Sequence, residues 1–228
     1  MTGCRLPAVR AVVPAPVGRR VGQLLAGLVL YAVSIALLVH PGLGTMPWDV
    51  LSQGVSRRTG LSLGTVIVLT SVLVLLCWIP LRQRPGVGTV ANVVVIGALV
   101  DPFLAALEAL VPDPALPVRI ALAAGGIVTN ALATGLYVGA GLGPGPRDGL
   151  MTGLVRRTGR SVALVRTSIE VVVVLAGVLL GGTFGPTTIA YALLVGPLVG
   201  LVLPRTTIRD RTPEAAGEPA VTAASDPA

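Results

Sequence analysis

The chain contains no lysine, a single histidine and two cysteines, and only 12% of its 228 residues are charged. Each shortage removes a class of function. The Gly-rich stretch GLGPGP at 141–146 is followed by no lysine and preceded by no strand pattern, so it is not a phosphate loop. His40 stands alone at the end of an apolar run and reads as interfacial, and no Ser/His/Asp or Cys/His constellation accompanies it; the chain is not expected to be an enzyme. Cys4 lies in a polar tail and Cys77 inside an apolar run, a placement that suits neither a disulfide nor a metal, and no cofactor is expected. The shortage of charge excludes most. With 53% hydrophobic residues and a mean hydropathy of +0.86, too little polar surface remains to cover a soluble globule. Aromatics are scarce too, at 3%.

What the sequence has is apolar length. Several runs approach or exceed the ~18–20 residues that a helix needs to cross ~30 Å of hydrocarbon. Spans are expected at about 21–39, 61–81, 89–110, 118–140, 161–180 and 187–203, so the fold class is an all-α polytopic membrane protein with about six transmembrane helices. Around them the organisation reads as a basic disordered tail at 1–20, a membrane repeat at 21–110, a Pro-rich linker at 111–117, a second membrane repeat at 118–204 and a disordered tail at 205–228. The net charge of +7 does not indicate nucleic acid, because all seventeen basic residues are arginines and most flank the apolar runs, where topology determinants belong.

The two halves are copies. GLGTMPWDVLSQGVSRRTG at 42–60 and GLGPGPRDGLMTGLVRRTG at 141–159 align without a gap, with eleven of nineteen residues identical at an offset of 99. The offset extends backwards to Gly27/Gly126 and onwards through Gly86/Gly185 and Thr89/Thr188 to Gly97/Gly196. Three spans per copy is an odd number, so the second copy is expected to enter the membrane with opposite orientation, as an inverted repeat. Placing the N-terminus inside puts thirteen arginines in cytoplasmic segments and three outside, which predicts cytoplasmic N- and C-termini.

The Gly/Pro-rich copies cannot be continuous spanning helices. Each is expected to break the membrane segment, with a short helix starting near Asp49 or Asp148 and the carboxylate at or near its N-cap. Backbone groups freed at such a break must be buried in protein or face a polar cavity. Pro47, Trp48, Asp49, Pro146, Arg147 and Asp148 are therefore candidate substrate-binding residues; the structural alternative makes the two Asp caps and the glycines turns. Where one copy has Trp48 the other has Arg147, whose planar donor fork suits an anionic group, unless it pairs with Asp148 or a lipid headgroup.

Arg166 and Glu170 complete the candidate set. At ~1.5 Å per residue from Ser161, Glu170 falls near the middle of its span, where a carboxylate is costly and by default functional. The alternative is a self-neutralising i, i+4 pair. Their repeat partners are Ile67 and Ser71, so the shared fold does not require these charges. Asn92, Asn130, Tyr31, Tyr137 and Tyr191 can supply polar contacts within the bundle.

GTMPWDVLSQGVSRRTGLSLGT at 44–65, RPGVGTVAN at 84–92, YVGAGLGPGPRDGLMTGLVRRTG at 137–159 and RTSIE at 166–170 resemble the bacterial YczE-like (YczE/YyaS/YitT-type) membrane proteins over about residues 20–204. The resemblance implies a multi-pass protein of the bacterial cytoplasmic membrane. The leading functional expectation is a small secondary transporter or exporter of an unidentified small molecule, with Arg147 suggesting an anionic group. The alternative is a non-transporting membrane partner or scaffold whose Arg156–Arg160 face docks a cytoplasmic protein or anionic lipid. Expected partners are the lipid bilayer and a small-molecule substrate, with a cytoplasmic protein or a homo-oligomer as the other readings, and no nucleic acid.

Overall fold

A computed structural model describes residues 16–208. Of the tails expected to be disordered at 1–20 and 205–228, residues 1–15 and 209–228 lie outside the described residues. Between them run eight α-helices: α1 (Val17–Val39), α2 (Pro47–Thr59), α3 (Leu63–Leu81), α4 (Val87–Leu110), α5 (Leu116–Gly139), α6 (Pro146–Thr158), α7 (Val162–Leu179) and α8 (Pro186–Thr206). Among the described residues six helices, all but α2 and α6, are long and apolar enough to cross a membrane. Their exposed faces carry rows of Leu, Val and Ile, such as Leu69, Leu73 and Leu76 on α3, which suit a hydrocarbon solvent.

The spans differ from expectation at two ends. α1 starts at Val17 rather than Val21, so Arg19 and Arg20 belong to its first turn and not to the tail, and α8 continues to Thr206, taking Arg205 with it. Arginine is a good helix former, and the helix needs to start only after Pro16. The short helices also start earlier than expected. Pro47 and Pro146 hold the first helical position, where a missing N–H costs nothing. The caps are Met46 and Gly145 and make no side-chain cap bond, so Asp49 and Asp148 sit in the first turn and are not the N-caps. Each short helix ends at a left-handed glycine, Gly60 at φ 72° and Gly159 at φ 66°, which the RRTG sequence supplies in both copies.

The centre is the antiparallel pair α1 and α5. A Cβ on Gly27 would lie 2.7 Å from the Tyr137 nitrogen, and one on Gly126 would lie 2.8 Å from Leu38 Cγ, so glycine is what permits this approach. α4 packs on α1 and α8 on α5, while α2 lies against α7 and α6 against α3, so each short helix packs on a span of the other half. Leu24, Leu28, Ile35, Ile67, Ile96 and Ile127 belong to the core that this arrangement buries.

Contacts between the halves come in pairs at the 99-residue offset. Arg20 donates to the Ala140 carbonyl at 3.1 Å, and Arg119 donates to the Pro41 carbonyl. Gly88 N–H reaches Leu142 O at 2.9 Å, and Thr187 N–H reaches Leu43 O at 3.1 Å. Arg57 and Arg58 donate to the carbonyls of Gly181 and Leu180 at the end of α7, and Arg156 and Arg157 donate to those of Leu81 and Pro80 at the end of α3. The repeated Arg-Arg thus caps the C-terminal end of a span in the other half, where unpaired carbonyls and the helix dipole favour cations.

Packing at the two short helices is complementary where sequence identity fails. Across the halves, Trp78 of α3 lies against Gly149 of α6, and at the matching positions Gly177 of α7 lies against the backbone of Val50 and Leu51 on α2.

Candidate functional site

The N-terminal ends of α2 and α6 meet. Arg147 Nη2 donates to Asp49 Oδ1 at 3.3 Å, joining the first turns of the two short helices across the halves. The Asp49 side chain is 0% exposed and that of Arg147 19%. The pairing expected between Arg147 and its neighbour Asp148 is replaced by this one, because Asp148 is engaged elsewhere: Tyr137 Oη donates a hydrogen bond to its Oδ2. The guanidinium of Arg147 also lies over the Trp48 ring, 5.2 Å from its centroid. The second carboxylate oxygen of Asp49 is buried with no hydrogen-bond partner. A buried orphan oxygen is costly, so this carboxylate is poised for a further partner or a proton.

α6 is held for this contact from behind. Trp78 Nε1 donates to the Pro146 carbonyl at 3.0 Å, while Thr89 Oγ1 donates to the Pro144 carbonyl at 2.8 Å. On the other side Thr45 N–H donates to Thr188 Oγ1 at 3.1 Å, and Thr183 N–H to Gln53 Oε1 at 3.1 Å. Each motif copy is therefore anchored on the N-terminal end of a span, α4 or α8, that belongs to one half or the other.

A cavity of about 410 Å³ lies at this junction. Pro47, Trp48, Pro146, Arg147, Asp148, Arg166 and Glu170 all line it, so seven of the eight sequence-derived candidates share one space. The eighth, Asp49, reaches it through Arg147. Arg166 Nε donates to Glu170 Oε1 at 2.8 Å as an i, i+4 pair, with side chains 41% and 21% exposed. This is the self-neutralising pair weighed above, yet it faces the cavity and not a packed helix interface.

The residues that sequence reasoning left in the background form the wall. Tyr191 Oη donates to Asn130 Oδ1 at 2.7 Å, Asn130 Nδ2 to Ser34 Oγ at 2.9 Å, and Ser34 Oγ to the Tyr31 carbonyl at 2.7 Å. Tyr31 meets Tyr137 edge to face at 6.0 Å. Trp78 and Asp101 were not foreseen. Trp78 could have been found by noting that its repeat partner is Gly177 while Val50 becomes Gly149. Asp101 accepts Gly64 N–H at 2.9 Å, an anion on the first turn of α3. His40 Nε2 lies 2.9 Å from the Val111 carbonyl.

Among the described residues no group of His, Cys, Asp and Glu is arranged to hold a metal ion. The arrangement offers instead a mainly apolar pocket in a membrane body, carrying fixed charges of both signs and aromatic faces.

The comparisons agree with a membrane body of this kind. An uncharacterized protein of Haemophilus influenzae is 38% identical over 185 residues, covering 81% of this chain and 84% of that one. The uncharacterized membrane protein YczE of Bacillus subtilis is 33% identical over 182 residues, covering 79% and 83%. The uncharacterized protein YyaS of the same organism is 26% identical over 179 residues, covering 78% and 89%. No solved structure matches significantly. A family model described as a family of unknown function (DUF6198) matches residues 18–204, and with YczE as a close relative over most of its length the chain belongs to this YczE-like family of membrane proteins.

Proposed function

We propose that the protein is a small secondary transporter of the cytoplasmic membrane, built as two inverted-topology halves whose short helices close on a shared substrate cavity. The observation that carries this reading is the meeting of the two α2 and α6 N-terminal ends at a charged cavity, through the Asp49–Arg147 pair. Broken segments from two related halves, converging on one site, are how such transporters hold substrate. The antiparallel α1/α5 centre and the reciprocal contacts at the 99-residue offset support the two-fold relation. The arginine distribution supports cytoplasmic termini.

In this reading the Asp49–Arg147 bond is the element that must break and re-form as the halves rock. It is a single bond of 3.3 Å between the first turns of the two short helices. Substrate competes for one partner, and the orphan oxygen of Asp49 takes up charge or a proton as Arg147 leaves. Both arginines of the cavity are already paired, which weakens the case for an anionic substrate. The scaffold alternative loses support as well, because Arg156 and Arg157 spend donors on the end of α3, as Arg57 and Arg58 do on α7.

The test is solute loss from proteoliposomes loaded with a small-molecule extract of the host cell and followed by mass spectrometry. Wild-type protein should release at least one solute that the charge-neutral double variant Asp49→Asn/Arg147→Gln retains. Identical profiles for folded wild type, the double variant and empty liposomes would refute transport.

A further inference from the structure

We propose that the cavity accepts a lipophilic cation, an amine or quaternary ammonium with a short apolar tail, and that it enters from the bilayer between α7 and α8. This rests on the transport reading above and names its substrate class.

The charge in the site is the first ground. Asp148 and Glu170 in the lining and Asp49 behind Arg147 stand against Arg147 and Arg166, three carboxylates to two guanidiniums. A buried carboxylate without a counter-charge takes up either a proton or a cation, and a bound cation completes the balance here.

The aromatics are the second. The chain has seven aromatic residues, two Phe, two Trp and three Tyr, and all three tyrosines and Trp48 line this one cavity. Aromatic faces bind ammonium groups, and Arg147 over Trp48 shows one of them already holding a cation.

The third ground is a difference between halves that otherwise match. α3 packs on α4 through small residues: a Cβ on Gly64 would sit 2.7 Å from Asp101 Oδ2, and one on Gly97 would overlap Val68 Cγ2. The corresponding positions on α7 and α8 are Ala163, Gly196 and Gly200, and a Cβ on either of these glycines meets nothing within 4 Å. α7 and α8 make no comparable packing. The charged Arg166 and Glu170 lie on the open pair, where the closed pair has buried Ile67 and Ser71. The cavity therefore has a side entrance from the lipid in one half only. Its volume of about 410 Å³ is in the range of small-molecule sites, roughly 300–1,000 Å³, and suits a headgroup with a short chain.

Binding is tested in nanodiscs of zwitterionic lipid with N-octylpyridinium, a cation whose ring quenches tryptophan emission. Quenching should saturate in the wild type and lose its saturable part in Trp48→Phe. Octyltrimethylammonium should displace the probe and octanesulfonate, of matching chain length, should not. Glu170→Gln should weaken binding about tenfold or more, and its side chain is exposed enough for the variant to fold. Gly200→Phe, placed in open space, should slow association several-fold without changing the saturating signal. Displacement by octanesulfonate as strong as by octyltrimethylammonium, or quenching that never saturates, overturns the cation assignment. An unchanged association rate in Gly200→Phe overturns the side entrance. Neither result touches solute release in the proteoliposome assay, so failure of the substrate class is distinguishable from failure of the transport reading.

Discussion

Trp78 and Gly149 offer a prediction whose size follows from the packing. A Cβ at position 149 would lie 2.7 Å from Trp78 Cε2 and closer still to the outer ring carbons, against ~3.5–4.0 Å for carbon atoms at rest. Gly149→Val therefore overfills a closed contact and should cost about 1–3 kcal/mol. Trp78→Ala empties the same contact, which costs about 3–5 kcal/mol for a buried aromatic. It also removes the donor to the Pro146 carbonyl, worth ~1 kcal/mol. The double variant Trp78→Ala/Gly149→Val places a side chain from α6 in the space that the indole leaves. Its clash is gone and part of the void is filled, so it should be more stable than the sum of the singles by about 1–3 kcal/mol. Thermal melting of purified protein, followed by helical circular dichroism, reads this as a midpoint some degrees above the additive value, at about 2–4 °C per kcal/mol. Additivity within about 0.5 kcal/mol would refute the claim that these residues share one volume.

Other positions test other parts of the account. Asp49→Ala should destabilise the protein by about 3–5 kcal/mol, because Arg147 is left buried without its partner, and Asp49→Asn/Arg147→Gln should recover most of that in the same melt. Gly97→Val should lose folded yield through overlap with Val68, whereas Gly196→Val, its repeat partner, should melt within about 0.5 kcal/mol of wild type. Arg166→Met/Glu170→Gln should leave the melting midpoint nearly unchanged, as expected of a part-exposed i, i+4 pair worth about 0.2–0.5 kcal/mol, and, with one carboxylate still in excess, should retain the probe binding that Glu170→Gln alone weakens.

Much of this molecule was legible because a membrane simplifies the reading. Six apolar runs bounded by Pro, Gly and Arg had few other fates, and the helices fall within a few residues of where those runs place them. The repeat then singled out the two short helices, whose first turns meet at the cavity. Partner choice was not legible. Nothing local distinguishes Asp148 from Asp49 as the acceptor for Arg147; the choice depends on Tyr137 taking Asp148 and on the two N-terminal ends facing each other. The side entrance was hidden for a related reason. Gly97 and Gly196 are the same letter, and only Val68 and Asp101 packed against one, with open space beside the other, separate a closed seam from a gap. The helix caps were misjudged because Pro at the first helical position moved each start two residues upstream of its Asp.

The central claim, a cavity shared by two rocking halves, is tested most directly by access from the two sides of the membrane. Met151 lines the cavity, and Met151→Cys in a Cys4→Ser/Cys77→Ser background carries a single thiol. Right-side-out and inside-out vesicles are then treated with a membrane-impermeant maleimide. The account predicts labelling from both sides, at rates that a bound cation changes in opposite directions. Labelling from one side only, with full labelling after denaturation, would contradict it.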